Sequence, residues 1–212
     1  STYVFGLEYP FTTFLFRPLD RFQDFYSVMR STVDLDPYRV REVIDVPGHA
    51  GIEVSNYFPF AHIVFYPFSR LEQDTALLLF LSISLVFCTY FFFRFMRAAG
   101  VQSLTEKWIS WVVFVPMSYP ILFTFDRANI ELWVFGFVAL SVLSYERLRF
   151  GSYSIFLALA ASFKLTPFIF LFPAIKEKRW RAVFGSLLVF VVLSLLAFLC
   201  FEGSVANNLN SL

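Results

Sequence analysis

Charge is scarce in this sequence. Asp, Glu, Lys and Arg supply 16% of its residues, against roughly a quarter in an ordinary soluble domain. The charge is also balanced: 17 Lys+Arg stand against 16 Asp+Glu, a net +1. No basic face emerges from that balance, so the chain is not a nucleic-acid binder. Cysteine is nearly absent. Cys88 and Cys200 both sit inside apolar runs without metal-ligand spacing, and read as packed small side chains. The N-terminus lacks a methionine, a basic segment and an apolar signal core. The expectation is a piece of a longer protein whose first membrane segment lies upstream.

Apolar residues are abundant, at 58% with 21% aromatic. Segment length decides their meaning, because a helix needs about 20 apolar residues to cross lipid. Residues 1–75 hold much of the charge and the prolines Pro10, Pro18, Pro37, Pro47, Pro59 and Pro67, and read as an outer loop with short amphipathic helices. Residues 76–201 read as the membrane region, and 202–212 as the start of a further outer loop that the chain leaves incomplete. The predicted first span is Thr75 to Phe93, with Asp74 as N-cap. Ser103 and Glu106 form a capping-box pattern opening a helix at Leu104. The next span, Trp108 to Phe125, carries Pro116 and Pro120 and should kink. A third runs from Ile130 to Tyr145, and a last from Ala182 to Phe201. The expected fold is an all-α, multi-spanning helical bundle.

Short cytoplasmic loops retain basic residues. Arg94, Arg97 and Lys107, then Arg147 and Arg149, then Lys176, Lys178, Arg179 and Arg181 mark three inner loops, against Glu106, Glu146 and Glu177. This places Asp126-Arg127-Ala128-Asn129 outside. It also puts both ends of the apolar run 151–174 inside, so that run should turn back near Lys164 as a hairpin of broken helices, enclosed by protein or a water-filled cavity. The chemistry is expected on the outer side of a plasma membrane.

Phe22, Phe25, Tyr26 and Met29 fall at i, i+3, i+4 and i+7, one face of an amphipathic helix, and Asp20 with Gln23 resembles a capping box at its start. At about 100° per residue, Asp24 lies about 200° from Phe22, on a polar face with Ser27 and Ser31. It is either a solvated surface carboxylate or one aimed into a polar cavity. Asp34-Leu35-Asp36-Pro37 superficially offers an Asp-x-Asp metal pattern, but Asp before Pro is a turn signal; no metal and no cofactor are expected. Tyr57, Pro59 and Tyr66-Pro67 are interface anchors or walls of a lipid or sugar groove. His62 among them is packed, interfacial or part of that groove. Arg127 and Lys164 are cations at outer or intramembrane positions, where ionisable groups are costly. Arg127 either pairs with Asp126 or Glu131, and Lys164 either snorkels outward, or the two hold a phosphate.

The ordered set Asp24-Phe25-Tyr26, Asp36-Pro37-Tyr38, Tyr57-Phe58-Pro59, Asn129-Ile130-Glu131 and Lys164-Leu165-Thr166-Pro167 resembles the family 87 glycosyltransferases of the GT-C class. The resemblance covers about residues 20–180. Asp126-Arg127-Ala128 stands where a glycine commonly precedes the Asn. The resemblance implies a membrane transferase, mannosyltransferase-like, that uses a polyprenyl-phosphate-linked sugar and a glycan or glycolipid acceptor. Asp24 would be the base of an inverting transfer, Arg127 and Lys164 the donor-phosphate ligands, and Tyr57, Pro59, His62, Asn129 and Glu131 a substrate groove. A lipid-linked-sugar flippase or a structural membrane subunit are the rival readings.

Overall fold

The computed structural model describes residues 22–33, 41–43, 51–53 and 57–201. Helix α1 (Gln23–Thr32) is followed by two short antiparallel strands, β1 (Arg41–Val43) and β2 (Gly51–Glu53), with Val43 opposite Gly51. Every later element is helical: α2 (Pro59–Ser69), α3 (Gln73–Ala98), α4 (Leu104–Met117), α5 (Tyr119–Asp126), α6 (Glu131–Glu146), α7 (Phe150–Phe163), a 3₁₀ turn (Thr166–Phe170), α8 (Leu171–Lys176) and α9 (Trp180–Cys200). The strand pair is an addition to the expected all-α chain. Three-residue strands carry too few alternations to announce themselves in a sequence.

Among the described residues α3, with 26 residues, and α9, with 21, are each long and apolar enough to cross a membrane. At 1.5 Å per residue they extend about 39 and 31 Å, enough for a hydrocarbon core of about 30 Å. Helices α4 and α5 together form a third candidate span, bent by 68° at their break. Ser118 is extended there, and Pro120 sits in the first turn of α5, where its missing N–H costs nothing. Helices α6 and α7 are shorter. Lys164 is extended (φ −148°, ψ 142°) and ends α7. Beyond it the chain returns along α7, so that the Tyr153 hydroxyl donates to the Phe170 carbonyl at 2.6 Å.

Two helix starts differ from expectation. Helix α1 begins at Gln23 behind Phe22, which adopts a left-handed backbone (φ 57°) and offers no side-chain cap; Asp20 lies outside the described residues. Helix α3 begins at Gln73, so Asp74 falls within its first turn, not at its cap. There a carboxylate still favours the helix dipole. At α4 the Ser103 hydroxyl does accept from the Glu106 N–H, at 3.4 Å.

Four helix ends close with one device. After α3, α5, α6 and α8 a residue with positive φ (Gly100, Ala128, Leu148 and Lys178) lets the next N–H reach back five residues to a terminal carbonyl. This is the Schellman cap, usually built on glycine. At the α5 corner, the Ala128 N–H donates to the Phe125 carbonyl at 3.0 Å and the Asn129 N–H to the Thr124 carbonyl at 2.9 Å. Ala128 holds φ 48° while buried, which accounts for the glycine expected before Asn129. Its strain is about 1–2 kcal/mol, and the corner it makes presents Arg127 and Asn129.

The core is aromatic. Phe25, Phe65, Phe68, Phe80 and Trp133 are buried together, tying α1 and α2 to α3 and α6. Trp133 stacks on Phe80 at 5.4 Å and donates its indole N–H to the Ser84 hydroxyl at 2.8 Å. Small residues set the other contacts, as suits helices in lipid. The Ser154 hydroxyl of α7 donates to the Ala182 carbonyl of α9 at 2.9 Å. On α6, Gly136 lies flush against the Phe91 ring, where a Cβ would overlap it. Gly136→Ala should therefore cost about 1–3 kcal/mol by overpacking, read as earlier unfolding in detergent, and Phe91→Leu in the same chain should recover part of it. Wild-type unfolding of Gly136→Ala would contradict this packing.

Candidate functional site

Burial of Phe25, Val28 and Met29 presses α1 against α2, and helical phase turns Asp24 away from that face. Ser31, expected beside Asp24 on the polar face, is instead buried, with its hydroxyl donating to the Val28 carbonyl at 2.9 Å. The Phe22 N–H fixes the start of α1 by donating to the Asp126 carbonyl at 2.9 Å. Asp24 is thereby delivered to the corner between α5 and α6, 103 residues downstream.

There its carboxylate is held by three donors. Arg127 donates to Oδ1 through Nη2 at 2.7 Å and through Nε at 3.2 Å, and Asn129 donates to Oδ2 through Nδ2 at 2.6 Å. Both side chains of the ion pair are about one-fifth exposed. A carboxylate oxygen offers two lone-pair sites. The arginine fork occupies those of Oδ1, while Oδ2 receives one donor among the described residues. The sequence left Asp126 or Glu131 as the alternative partner of Arg127; among the described residues Arg127 pairs with Asp24.

Asn129 continues the chain of contacts. Its Oδ1 accepts the Glu131 backbone N–H at 2.8 Å, an Asx turn that opens α6. The Glu131 carboxylate then pairs with the Lys164 ammonium from the end of α7, so Lys164 neither snorkels alone nor stands unpaired. Lys164 Nζ lies 6.0 Å from the centre of the Tyr57 ring. Burial pushes the Tyr57 phenol far above its usual range; the Asp24 and Glu131 carboxylates add to this and Arg127 opposes it. Tyr57 is thus a neutral wall beside four charged groups, with cations and anions in equal number.

Two residues expected in a groove belong to the packing. Pro59 is fully buried at the start of α2. His62 is also enclosed, with Nδ1 3.0 Å from the Thr32 hydroxyl and its ring edge-on to Phe201. The Thr32 proton is used on the Val28 carbonyl at 2.6 Å, so Nδ1 is the donor to Thr32. Nothing in the chain near Asn129 announces that it joins two carboxylate systems, since its neighbour Asp24 lies 105 residues away. Among the described residues no three His, Cys, Asp or Glu side chains are grouped to hold a metal; Asp34 and Asp36 lie outside them.

Apolar space adjoins the charged cluster on either side of α5. A cavity of about 700 Å³ between α3, α4 and α5 is lined by Leu78, Leu85, Trp111, Ile121, Phe22 and Asp126. Another of about 340 Å³ is lined by Ser118, Thr124, Ile121, Phe135 and the carboxylate-bearing Glu131.

No curated protein and no solved structure gives a match to this chain. A family profile does, that of glycosyltransferase family 87, over residues 56–210. The match takes in Tyr57, Arg127, Asn129, Glu131 and Lys164; Asp24 precedes it. With apolar helices long enough to cross a membrane and a family match over most of its length, the chain belongs to glycosyltransferase family 87 and is an integral-membrane glycosyltransferase.

Proposed function

We propose that the chain transfers a sugar from a polyprenyl-phosphate carrier to an acceptor hydroxyl on the outer face of a plasma membrane, with inversion at the anomeric carbon. The observation that carries this reading is the Asp24 carboxylate, fixed on one oxygen by Arg127 and keeping a lone pair on the other. The acceptor oxygen attacks the anomeric carbon, the bond from that carbon to the phosphate oxygen breaks, and the hydroxyl proton passes to Asp24 Oδ2. The bonding electrons leave with the lipid phosphate.

Arg127 and Lys164 stabilise the charge that gathers on that phosphate. Lys164 is an ammonium with three N–H donors, of which the Glu131 carboxylate meets one. The apolar cavity that Asp126 helps to line supports a lipid-linked donor, because a prenyl chain needs apolar surroundings next to a charged head-group site. A glycan or glycolipid supplies the hydroxyl.

Purified full-length protein, given radiolabelled polyprenyl-phosphate mannose or arabinose and an oligosaccharide acceptor, should form a labelled glycosidic bond. Movement of label across proteoliposomes without bond formation would instead favour a flippase. The outer placement has its own test. With Cys88 and Cys200 replaced, Asp126→Cys and Arg149→Cys should react with an impermeant thiol reagent from opposite sides; reaction from one side contradicts the basic-loop topology.

A further inference from the structure

The geometry points to Asn129 as a positioning residue that aims the reacting oxygen of Asp24, an inference that rests on Asp24 being the base. The two ends of its amide do different work. Oδ1 accepts the Glu131 N–H at 2.8 Å, which locks the side chain to the first turn of α6. That leaves Nδ2 facing Asp24 Oδ2, to which it donates at 2.6 Å. The amide cannot be turned over without setting NH₂ against N–H and oxygen against oxygen.

The two oxygens of a carboxylate are equivalent, so their exchange changes nothing; what matters is the tilt of the carboxylate plane. Arg127 grips one oxygen through both of its bonds, which leaves the other free to swing about the Cβ–Cγ bond. Asn129 supplies the second point of attachment, on that other oxygen. It holds Oδ2 in place with a lone pair directed away from both donors. The carboxylate plane is thereby fixed from an element, the α5–α6 corner, that is itself set by the Schellman cap at Ala128. Asn129 would act through Asp24 and need not touch the sugar.

Serine separates this role from a structural one, because its hydroxyl can accept the Glu131 N–H in the same kind of turn as the asparagine oxygen does but is too short to donate to Asp24. In purified full-length protein with radiolabelled polyprenyl-phosphate mannose, Asn129→Ser is expected to keep wild-type unfolding and donor KM within about twofold, while kcat falls about 10- to 100-fold, the scale of a misplaced reacting group. Asn129→Asp also keeps an acceptor for the Glu131 N–H, but sets an anion against Asp24, and should fall at least as far. In an Asp24→Asn background, Asn129→Ser should cost nothing further. Wild-type kcat in Asn129→Ser, or a loss confined to donor KM, overturns the positioning role while leaving Asp24 in place. Wild-type turnover of Asp24→Asn removes the base itself, and the inference with it.

Discussion

Asp24→Asn is expected to lower transfer by about 10²- to 10⁴-fold, the usual contribution of a positioned general base, while binding of the labelled donor is retained. The substitution keeps the shape of the side chain. An asparagine carbonyl can still accept from Arg127, but its NH₂ then faces the Asn129 NH₂ and the ion pair is lost, at a cost of about 1–3 kcal/mol in stability. The fall in kcat should therefore be read on folded protein. Asp74→Asn, in the exposed first turn of α3, is the matched control and should remain active. If Asp24→Asn turns over normally while Asp34→Asn or Asp36→Asn is inactive, the base lies in the Asp34-Leu35-Asp36 turn and the metal reading of that turn reopens.

The second large effect belongs to the cations. Lys164→Gln and Arg127→Gln should each reduce transfer by about 10²- to 10³-fold, as when one donor to a developing oxyanion is removed. The two should differ in stability. Arg127→Gln leaves the Asp24 carboxylate partly buried without its ion-pair partner, a loss of about 1–3 kcal/mol, whereas Glu131 is exposed enough for water to replace Lys164. Arg127→Lys should rescue only part of the activity, because a forked donor becomes a point charge and cannot hold Oδ1 through two bonds. Normal turnover in folded Lys164→Gln protein would remove Lys164 from the mechanism.

What the sequence disclosed was what local pattern governs. The apolar runs of α3 and α9 had the length to span lipid, Ser103 had its Glu106 partner, and Pro116 and Pro120 announced the bend. The phase of Phe25 and Met29 placed Asp24 off the apolar face, since helical geometry alone sets that direction. Contacts between distant residues were not legible. Nothing in the chain near Arg127 says that its carboxylate comes from a helix 103 residues earlier, brought there by the burial of Phe25 and the Phe22–Asp126 backbone bond. Conformations that break local preference were equally hidden. Phe22, Ala128, Leu148 and Lys178 take positive φ, which side-chain identity does not forecast. His62 could be read as packed, interfacial or lining a groove; the packing of α2 on α1, which encloses it against Thr32, decides for the first.

The anomeric configuration of the product is the measurement that bears most directly on a single displacement assisted by Asp24. Transfer from a ¹³C-labelled polyprenyl-phosphate sugar of known configuration, followed by the one-bond carbon–proton coupling at the anomeric centre, reports it without any variant. One attack by the acceptor hydroxyl on the face opposite the phosphate inverts that centre, so a β-phosphate donor should yield an α-glycoside. Retention of configuration would require a covalent glycosyl-enzyme step, with Asp24 or Glu131 as nucleophile, and would contradict the role of Asp24 as base.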